Sequence, residues 1–266
     1  MATAAENCVF DLPSLFHVST VAVIRDLSSY EESLCEMPDS IKQAVLHLMG
    51  KRGIITDDNL LKIIFPRLRS LDLSISQVTD KSLSQLGCYA MNVFQLDNSF
   101  KEANTRVSSA GIISLSRACP HLQIVYMRRN VNLTDEAVLE LCKNCPWLRE
   151  FNVGPTVNEC LSRDRRDPEY SAHLKSLNIS LTQITDEGIR QLSNGLCAQV
   201  LTEIDMSSST QLTDEAVESL IMMCPRLKIL LFDRCPKITE MSRIALEERF
   251  QSTDGTKMKQ VSWTVY

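Results

Sequence analysis

A short polar signal recurs along the chain at nearly regular intervals. Its copies are a threonine or serine followed by an acidic or hydroxyl residue, and the second members stand at positions 57, 80, 109, 135, 186, 214 and 240. A weaker copy at 158–159 fills the one double-length gap, so the intervals run from 23 to 29 residues. Self-similarity at a fixed period of roughly 20 to 50 residues indicates a chain built from stacked repeats.

Apolar residues occupy fixed offsets within each period. In one copy Val125 and Met127 alternate, which places both side chains on one face of a strand. Farther along, Ala137, Val138 and Leu141 recur at the spacing of a short helix that packs on a core. The period and these offsets predict an α/β leucine-rich-repeat solenoid, with parallel strands on the concave face and helices outside.

The polar pair lies directly before each predicted helix. The side-chain oxygens of threonine and aspartate can accept hydrogen bonds from the free amide groups at a helix N-terminus. We therefore expect the acidic members of the pair to be structural caps rather than catalytic acids. These residues are Asp57, Asp80, Asp135, Asp186 and Asp214.

The pattern divides the chain into two regions. We predict an N-terminal helical cap over residues 1–53 and a repeat solenoid over 54–266, closed by a last strand near 258–263. The cap holds two helical stripes, one running from Leu15 through Val18 to Leu27, and one opened by Pro38 and ended by Gly53. These helices either cover the first repeat or dock a partner. Near 158–172 the apolar pattern fails, which predicts a loop in place of a helix.

Charge and composition narrow the class of protein. Hydrophobic residues make up 44% of the chain, but no apolar run is long enough to span a membrane. Residues 1–10 lack the basic start and apolar core of a secretory signal. We therefore expect a cytoplasmic monomer, with the nucleus also open as a location. A net charge of −5 and a pI near 5.5 argue against nucleic-acid binding.

Ten cysteines raise the question of disulfides or metal. Several precede proline at repeat positions, including Cys119 and Cys224, as expected for buried packing residues. Cys142 and Cys145 have metal-ligand spacing, but a structural zinc needs four ligands and no second such pair exists. The histidines lie far apart, and no nucleophile or phosphate-loop motif occurs. The sequence therefore predicts no metal, no cofactor and no enzymatic activity.

The outward positions of the predicted strands form a candidate binding surface. Acidic residues outnumber basic ones there, and apolar or aromatic residues stand at positions that the core does not need. Such residues are typical anchors of interfaces, although a solvated face with scattered apolar residues is the plain alternative. The predicted contact residues are Asp72, Tyr126, Arg128, Glu203, Asp205, Ile229, Leu231 and Asp233.

Several motifs resemble those of known families. A Cys-Pro pair before the strand and a Leu-Thr-Asp or Ile-Thr-Asp run before the helix resemble the cysteine-containing repeats of F-box leucine-rich-repeat proteins, over residues 54–266. The run 230–239, and above all the closing segment 259–266, resemble the animal members of the antagonist of mitotic exit network family more closely. The resemblance implies a horseshoe-like adaptor of the cysteine-containing subtype that associates with Skp1–cullin–F-box (SCF) ubiquitin ligases. For the fungal namesake it implies inhibition of mitotic exit through a small GTPase.

Only the first helix of an F-box is resembled, by residues 37–48, which leaves direct contact with Skp1 open. We expect a non-enzymatic solenoid that recruits a protein substrate for ubiquitin-dependent turnover. One alternative is a cell-cycle regulator that binds and inhibits a small GTPase without degradation. Another is a structural scaffold.

Overall fold

Eight short strands form one parallel sheet. The computed structural model describes residues 14–86, 95–97, 104–154, 172–252 and 260–262. The strands of the sheet, in spatial order, are β1 (Ser70–Asp72), β2 (Gln95–Asp97), β4 (Ile124–Tyr126), β6 (Glu150–Asn152), β7 (Ser176–Asn178), β8 (Glu203–Asp205), β9 (Ile229–Leu231) and β10 (Gln260–Ser262). A separate parallel pair consists of β3 (Asn104–Ser108) and β5 (Asn130–Asn132).

The helices of successive repeats pack against one another, as α5 does on α6 and α8 on α9. Their bounds are α1 (Leu15–Arg25), α2 (Leu27–Tyr30), α3 (Asp39–Arg52), α4 (Asp57–Ile63), α5 (Asp80–Leu86), α6 (Ser109–Ala118), α7 (Asp135–Asn144), α8 (Asp186–Asn194), α9 (Asp214–Met223) and α10 (Glu240–Ser252). Short 3₁₀ helices span Glu31–Glu36 and Leu196–Gln199. Among the described residues, no helix is both long enough and apolar enough to cross a membrane.

The core lies between the sheet and the helices. Strand side chains alternate, so the middle residue of a strand and the residue after its end point inward. Val125 and Met127 are fully buried in this way, while Tyr126 between them is partly exposed. Ala137 and Leu141 on α7 are buried from the other side. The sheet, the helices and this alternation confirm the predicted α/β leucine-rich-repeat architecture.

The end of α3 lies against the end of β1. A β-carbon on Gly50 would come within 2.9 Å of the Asp72 carbonyl oxygen, and one on Gly53 would come equally close to that of Ile75. Gly53 also has a φ of 67°, the left-handed conformation that ends α3. Glycine therefore permits this close approach. The division of the chain at residue 53 into a cap and a solenoid stays a prediction.

The stripe predicted for α1 packs only toward its C-terminal end. Leu15 and Val18 are 82% and 49% exposed, whereas Ile24 of the same stripe is buried, as is Thr20. The helix carries apolar residues around much of its circumference, so their spacing alone does not reveal which face meets α3.

Two predicted segments lie partly outside the described residues, and one pair of strands was not predicted. The loop predicted near 158–172 lies outside the described residues except at its last position. The last strand is described at 260–262, where β10 pairs with β9 in parallel register as predicted. The β3–β5 pair was not predicted, because its polar run from Asn104 to Arg106 lacks the alternation of a buried strand.

Candidate recognition surface on the strand face

The outward positions of the sheet form one surface, which we call the strand face. Its predicted contact residues fall into separate groups. Tyr126 and Arg128 belong to β4 and the turn after it, and a larger group lies on β8 and β9. Strands β8 and β9 lie three and four strand steps from β4, or about 14 and 19 Å at the usual strand spacing. Asp72 lies on β1, at the far edge.

The group on β8 and β9 combines apolar and acidic side chains. The strand register places Glu203 beside Ile229 and Asp205 beside Leu231, and Asp233 follows β9. All five side chains are partly exposed. An apolar pair is therefore framed by carboxylates on a surface that water reaches.

Several of these carboxylates already have partners within the chain. Asp72 Oδ1 accepts hydrogen bonds from the amide (3.0 Å) and hydroxyl (2.6 Å) of Ser74, which fixes the turn after β1. Asp205 accepts one from the Ser207 amide at 3.0 Å and one from the Asn178 side chain at 2.8 Å. These acids therefore hold turns and link strands in addition to carrying charge.

Two acids of the larger group differ in how their carboxylates are bound. Asp233 accepts a hydrogen bond from the Ser262 hydroxyl at 2.6 Å, which links β9 to β10. Within the described part of the chain, the Glu203 carboxylate accepts no hydrogen bond. Glu203 is therefore the predicted contact acid most available to a partner.

Tyr126 is fixed in place on the strand face. Its hydroxyl donates a hydrogen bond to Glu150 Oε2 at 2.7 Å, across the β4–β6 boundary. The ring is therefore held in one orientation, as suits an aromatic anchor. Arg128, two residues farther along, is exposed.

The acidic members of the polar pairs join one repeat to the next. The Asp57 carboxylate accepts hydrogen bonds from the amide (2.9 Å) and hydroxyl (2.6 Å) of Thr79. Asp80 accepts the same two bonds from Ser108, at 2.8 and 2.5 Å. We call this series the aspartate ladder.

The ladder continues through the C-terminal repeats. Asp186 accepts both bonds from Thr213, each at 2.8 Å. Asp214 accepts them from Thr239, at 2.8 and 2.6 Å. The side chain of Asp135 lies outside those that the structure describes.

The structure thus places the aspartates differently from the expected caps. Each is the first residue of its helix, and the hydroxyl residue before it occupies the cap position. Thr56 and Thr213 accept a hydrogen bond from an amide of their own helix, as a cap does. The carboxylate instead meets two donors that only the next repeat supplies.

Hydrogen bonding lowers the pKa of two carboxylates of the ladder, Asp57 and Asp214. Burial raises the pKa of Asp57, but hydrogen bonds from Ser82 and Thr79 outweigh it and hold the pKa below its usual value. Burial likewise raises the pKa of Asp214, and bonds from Ser242 and Thr239 outweigh it in the same direction. Both groups are therefore charged at neutral pH.

A small residue follows three positions after each cap beyond the first. At Gly111, a β-carbon would come within 2.1 Å of Asp80 Oδ1, so the position faces the carboxylate of the previous repeat. At the corresponding Ser242, the hydroxyl donates to Asp214 at 2.5 Å. This position was not predicted, although its small residues are visible in the sequence. The residues are Ser82, Gly111, Ala137, Gly188, Ala216 and Ser242.

The turns after four strands contain a residue in the left-handed conformation. The φ angles of Arg129, Leu181, Ser208 and Arg234 lie between 59° and 63°, and each residue is the third after its strand. The Leu181 amide donates to the Ser207 carbonyl at 2.8 Å, and the Ser208 amide donates to that of Asp233 at 2.7 Å. The unusual backbone thus continues the hydrogen bonding between repeats.

Burial favours the protonated thiol at three of the buried cysteines. Burial raises the pKa of Cys119 to about 11, and of Cys145 and Cys197 to about 12. At neutral pH these groups are protonated, and it is the thiolate that attacks electrophiles or binds metal. Among the described residues, no group of three or more His, Cys, Asp or Glu side chains is arranged to hold a metal ion.

The stack of parallel strands and helices, with leucine at recurring buried positions, has the leucine-rich-repeat architecture. The leucine rich repeat family profile matches residues 170–193. Proteins of this class are typically non-enzymatic, and the extended face of a repeat stack is the surface on which they bind other molecules.

The chain is similar to Antagonist of mitotic exit network protein 1 from Eremothecium gossypii. The two are 24% identical over 266 residues, which cover 95% of this chain and 66% of the fungal protein. The fold also resembles a chain in the crystal structure of the Rad7 and Elc1 complex of yeast. That chain is 14% identical, with a TM-score of 0.55 over 95% of this chain and 74% of its own length.

Proposed function

We propose that this protein is a recognition module whose strand face binds a partner protein and recruits it for SCF-type ubiquitin-dependent turnover. The observation that carries the recognition role is the group on β8 and β9. There Ile229 and Leu231 are partly exposed although the core does not need them, and they lie beside Glu203 and Asp205. Apolar side chains framed by charge are typical of protein interfaces, where the charges steer the encounter.

The relatives support protein binding as the general role. The fungal homologue is named for antagonising the mitotic exit network, and the structurally similar yeast chain belongs to a complex of two proteins. Recruitment to a ubiquitin ligase rests on the resemblance to F-box leucine-rich-repeat proteins. Because residues 37–48 match only the first helix of an F-box, Skp1 contact is tested separately from substrate contact.

A matched pair of variants tests the strand face. Glu203→Lys with Ile229→Ser changes one acid and one apolar residue on the strand face. Glu218→Lys with Met222→Ser makes the same two changes on the exposed surface of α9, in a neighbouring part of the stack. We expect tagged parent protein and the α9 variant to retain the same co-purified proteins from cells, and the strand-face variant to lose them.

The proteins retained by the parent decide between functions. Skp1 and a cullin among them support the ligase role, and their absence removes it while leaving recognition intact. A small GTPase retained in only one nucleotide state, without ligase subunits, would favour the inhibitory alternative. If the two variants retain the same proteins, the partner does not use the strand face.

A further inference from the structure

A second charged surface lies where the chain enters the strands. Backbone hydrogen bonds continue along this edge of the sheet: the Arg149 amide donates to the Gln123 carbonyl at 2.7 Å, and the Lys175 amide donates to that of Arg149 at 2.8 Å. These bonds place Arg149 and Lys175 next to each other in successive repeats. Both side chains are exposed.

An aromatic stack accompanies these two cations. The rings of Trp147 and His173, each two residues before its cation, lie 4.9 Å apart with planes inclined by 13°. Trp147 is 53% exposed. Two strands farther along, Arg226 and Lys228 occupy the corresponding positions, and both are at least partly exposed. We call this surface the basic edge: Trp147, Arg149, His173, Lys175, Arg226 and Lys228.

The cations of the basic edge are not neutralised within the described part of the chain. No ion pair there involves Arg149, Lys175, Arg226 or Lys228, whereas Arg117 and Lys143 both pair with Glu140. The helix dipole favours bases in the last turn of a helix, as at Lys143. It does not explain Arg149, Lys175 or Lys228, because each stands outside a helix, directly before a strand.

We propose that the basic edge binds an acidic segment of a partner protein. From β6 to β9 the cations span three strand steps, or about 14 Å. An extended peptide repeats its side chains on one face about every 7 Å, so three alternate carboxylates span the same length as the cations. An aromatic side chain in the segment packs on the exposed face of Trp147, which is the residue type most typical of an interface anchor.

Charge on the rest of the molecule favours a short acidic segment over a nucleic acid. The chain carries a net charge of −5, and Glu150 and Glu203 lie on the strands that the basic edge precedes. A nucleic acid continues its phosphates beyond the edge, where they meet these acids, while a peptide confines its carboxylates to the cations. This proposal does not depend on the strand face or on the ligase role.

The test uses the full chain and a fluorescein-labelled peptide of alternating aspartate and tyrosine residues, followed by fluorescence anisotropy at low ionic strength. We expect binding that salt weakens, and that Arg149→Glu with Lys175→Glu weakens by about tenfold. Trp147→Ala should weaken it by about threefold without changing the slope of the salt dependence. The control variant Lys51→Glu with Arg52→Glu, at the exposed end of α3, should bind as the parent does.

Further arms make the outcome decisive. The strand-face variant Glu203→Lys with Ile229→Ser should bind the peptide at least as tightly as the parent, and a peptide with lysine in place of aspartate should not bind. Equal loss in the edge and control variants would overturn the proposal, because it would show a general charge effect. Tighter binding of a single-stranded oligothymidylate of equal charge would overturn it as well, in favour of nucleic acid.

Discussion

The two residues of the Thr213-Asp214 pair make different contacts. The Thr213 hydroxyl accepts the Glu215 amide of its own helix at 3.3 Å and donates to Asp186 of the previous repeat. The carboxylate belongs to the next repeat, as Asp214 shows by accepting two hydrogen bonds from Thr239 and one from Ser242. A single aspartate therefore satisfies donors at a helix start that would otherwise need water.

Replacing Asp214 by Ala should lower the free energy of unfolding by about 1–2 kcal/mol, because charged hydrogen bonds to Thr239 and Ser242 are lost. Urea unfolding measures the change. Glu215→Ala, one residue along the same helix and exposed, is the control and should change stability by under about 0.5 kcal/mol. Similar losses in both variants would show that the ladder adds nothing beyond helix-end charge.

The loss of stability caused by Asp214→Ala should depend on pH. The pKa of Asp214 is lower in the folded state than its ordinary value, so its contribution is complete above the unfolded pKa, near 4. The contribution is lost as pH falls through the lower folded pKa. The difference between the parent and Asp214→Ala should therefore be constant from neutral pH to about pH 5 and shrink below about pH 4. A difference that grows on acidification would contradict the charged-acceptor role.

The left-handed turns carry strain at residues that gain little from their side chains. Leu181 has a φ of 60° and is 55% exposed. For a residue with a β-carbon this conformation costs roughly 1–2 kcal/mol. Leu181→Gly should therefore raise the free energy of unfolding by about 0.5–1 kcal/mol, once the cost of glycine's greater entropy in the unfolded chain is subtracted.

Leu181→Ala is the matched control, since alanine keeps the β-carbon and removes only the exposed part of the side chain. We expect its unfolding free energy to stay within about 0.5 kcal/mol of the parent. Glycine and alanine variants of equal stability would mean that the turn relaxes its strain elsewhere.

At the scale of elements, the approach of neighbouring turns depends on one glycine. Gly154 follows β6, and a β-carbon there would come within 2.2 Å of the Ser180 carbonyl oxygen in the turn after β7. The obstructing atom is backbone, so it cannot move aside without shifting the strand. The Val153 amide donates to the Asn178 carbonyl at 3.0 Å beside it, which ties the two strands together.

Gly154→Ala should therefore separate the turns after β6 and β7 and cost more than about 2 kcal/mol of unfolding free energy. Ser180→Ala removes only the hydroxyl that bonds to Asn178 at 2.8 Å, and should cost about 1 kcal/mol or less. Thermal and urea unfolding of both variants compare the two effects. A Gly154→Ala protein as stable as Ser180→Ala would show that the backbone there is free to move.

The sequence predicted those elements whose pattern reflects burial. Val125 and Met127 alternate because they enter the core, so both the strand and its inward face were predicted correctly. The buried face of α1 was predicted only in part, because its apolar residues do not single out one face. The β3–β5 pair was missed for a related reason, since backbone hydrogen bonding there involves polar residues such as Arg106.

The candidate site was predictable only in part. Exposure of Ile229 and Leu231 on the strand face followed from alternation, and the structure places them there, although their role in binding stays a prediction. Hydrogen bonds such as those of Asp205 depend on which residue of the neighbouring strand lies beside it. The sequence of a single repeat does not determine that register. The small residue three positions after each cap beyond the first is visible when the copies of the repeat are aligned.

At the scale of the whole molecule, acids and bases are separated along the direction of the strands. Acids crowd the helix starts, such as Asp186 and Glu187 on α8, where the helix dipole favours negative charge. Cations concentrate at the basic edge, where the chain enters the strands. In a stack of repeats, equivalent positions are aligned, so residues of like charge at one position form a row along the stack. One chain thereby carries both rows of acids and a basic edge.

Because each repeat contacts only its neighbours, the cooperativity of unfolding depends on the joints, which are the contacts between adjacent repeats. The aspartate ladder has an uncharged step between α6 and α7, where Ser109 stands in place of aspartate. Its hydroxyl accepts the Thr134 amide at 2.8 Å and lies 2.9 Å from the Thr134 hydroxyl. The joint therefore keeps one acceptor but lacks the second oxygen and the charge that Asp80 and Asp186 supply. Stability in such arrays depends on the coupling between neighbours, so a weak joint is where partial unfolding begins.

Ser109→Asp should supply the missing carboxylate at this joint and stabilise the folded stack of repeats. A carboxylate can accept both the amide and the hydroxyl of Thr134, and it places negative charge at the start of α6. We expect an increase of about 1 kcal/mol in the free energy of unfolding. The slope of urea unfolding should also rise, because repeats on both sides of the joint then unfold together. Ser109→Asn supplies an acceptor oxygen without charge and should give less than half of the gain. An aspartate variant no more stable than the asparagine one, with an unchanged slope, would mean that the charge of the ladder does not couple the repeats.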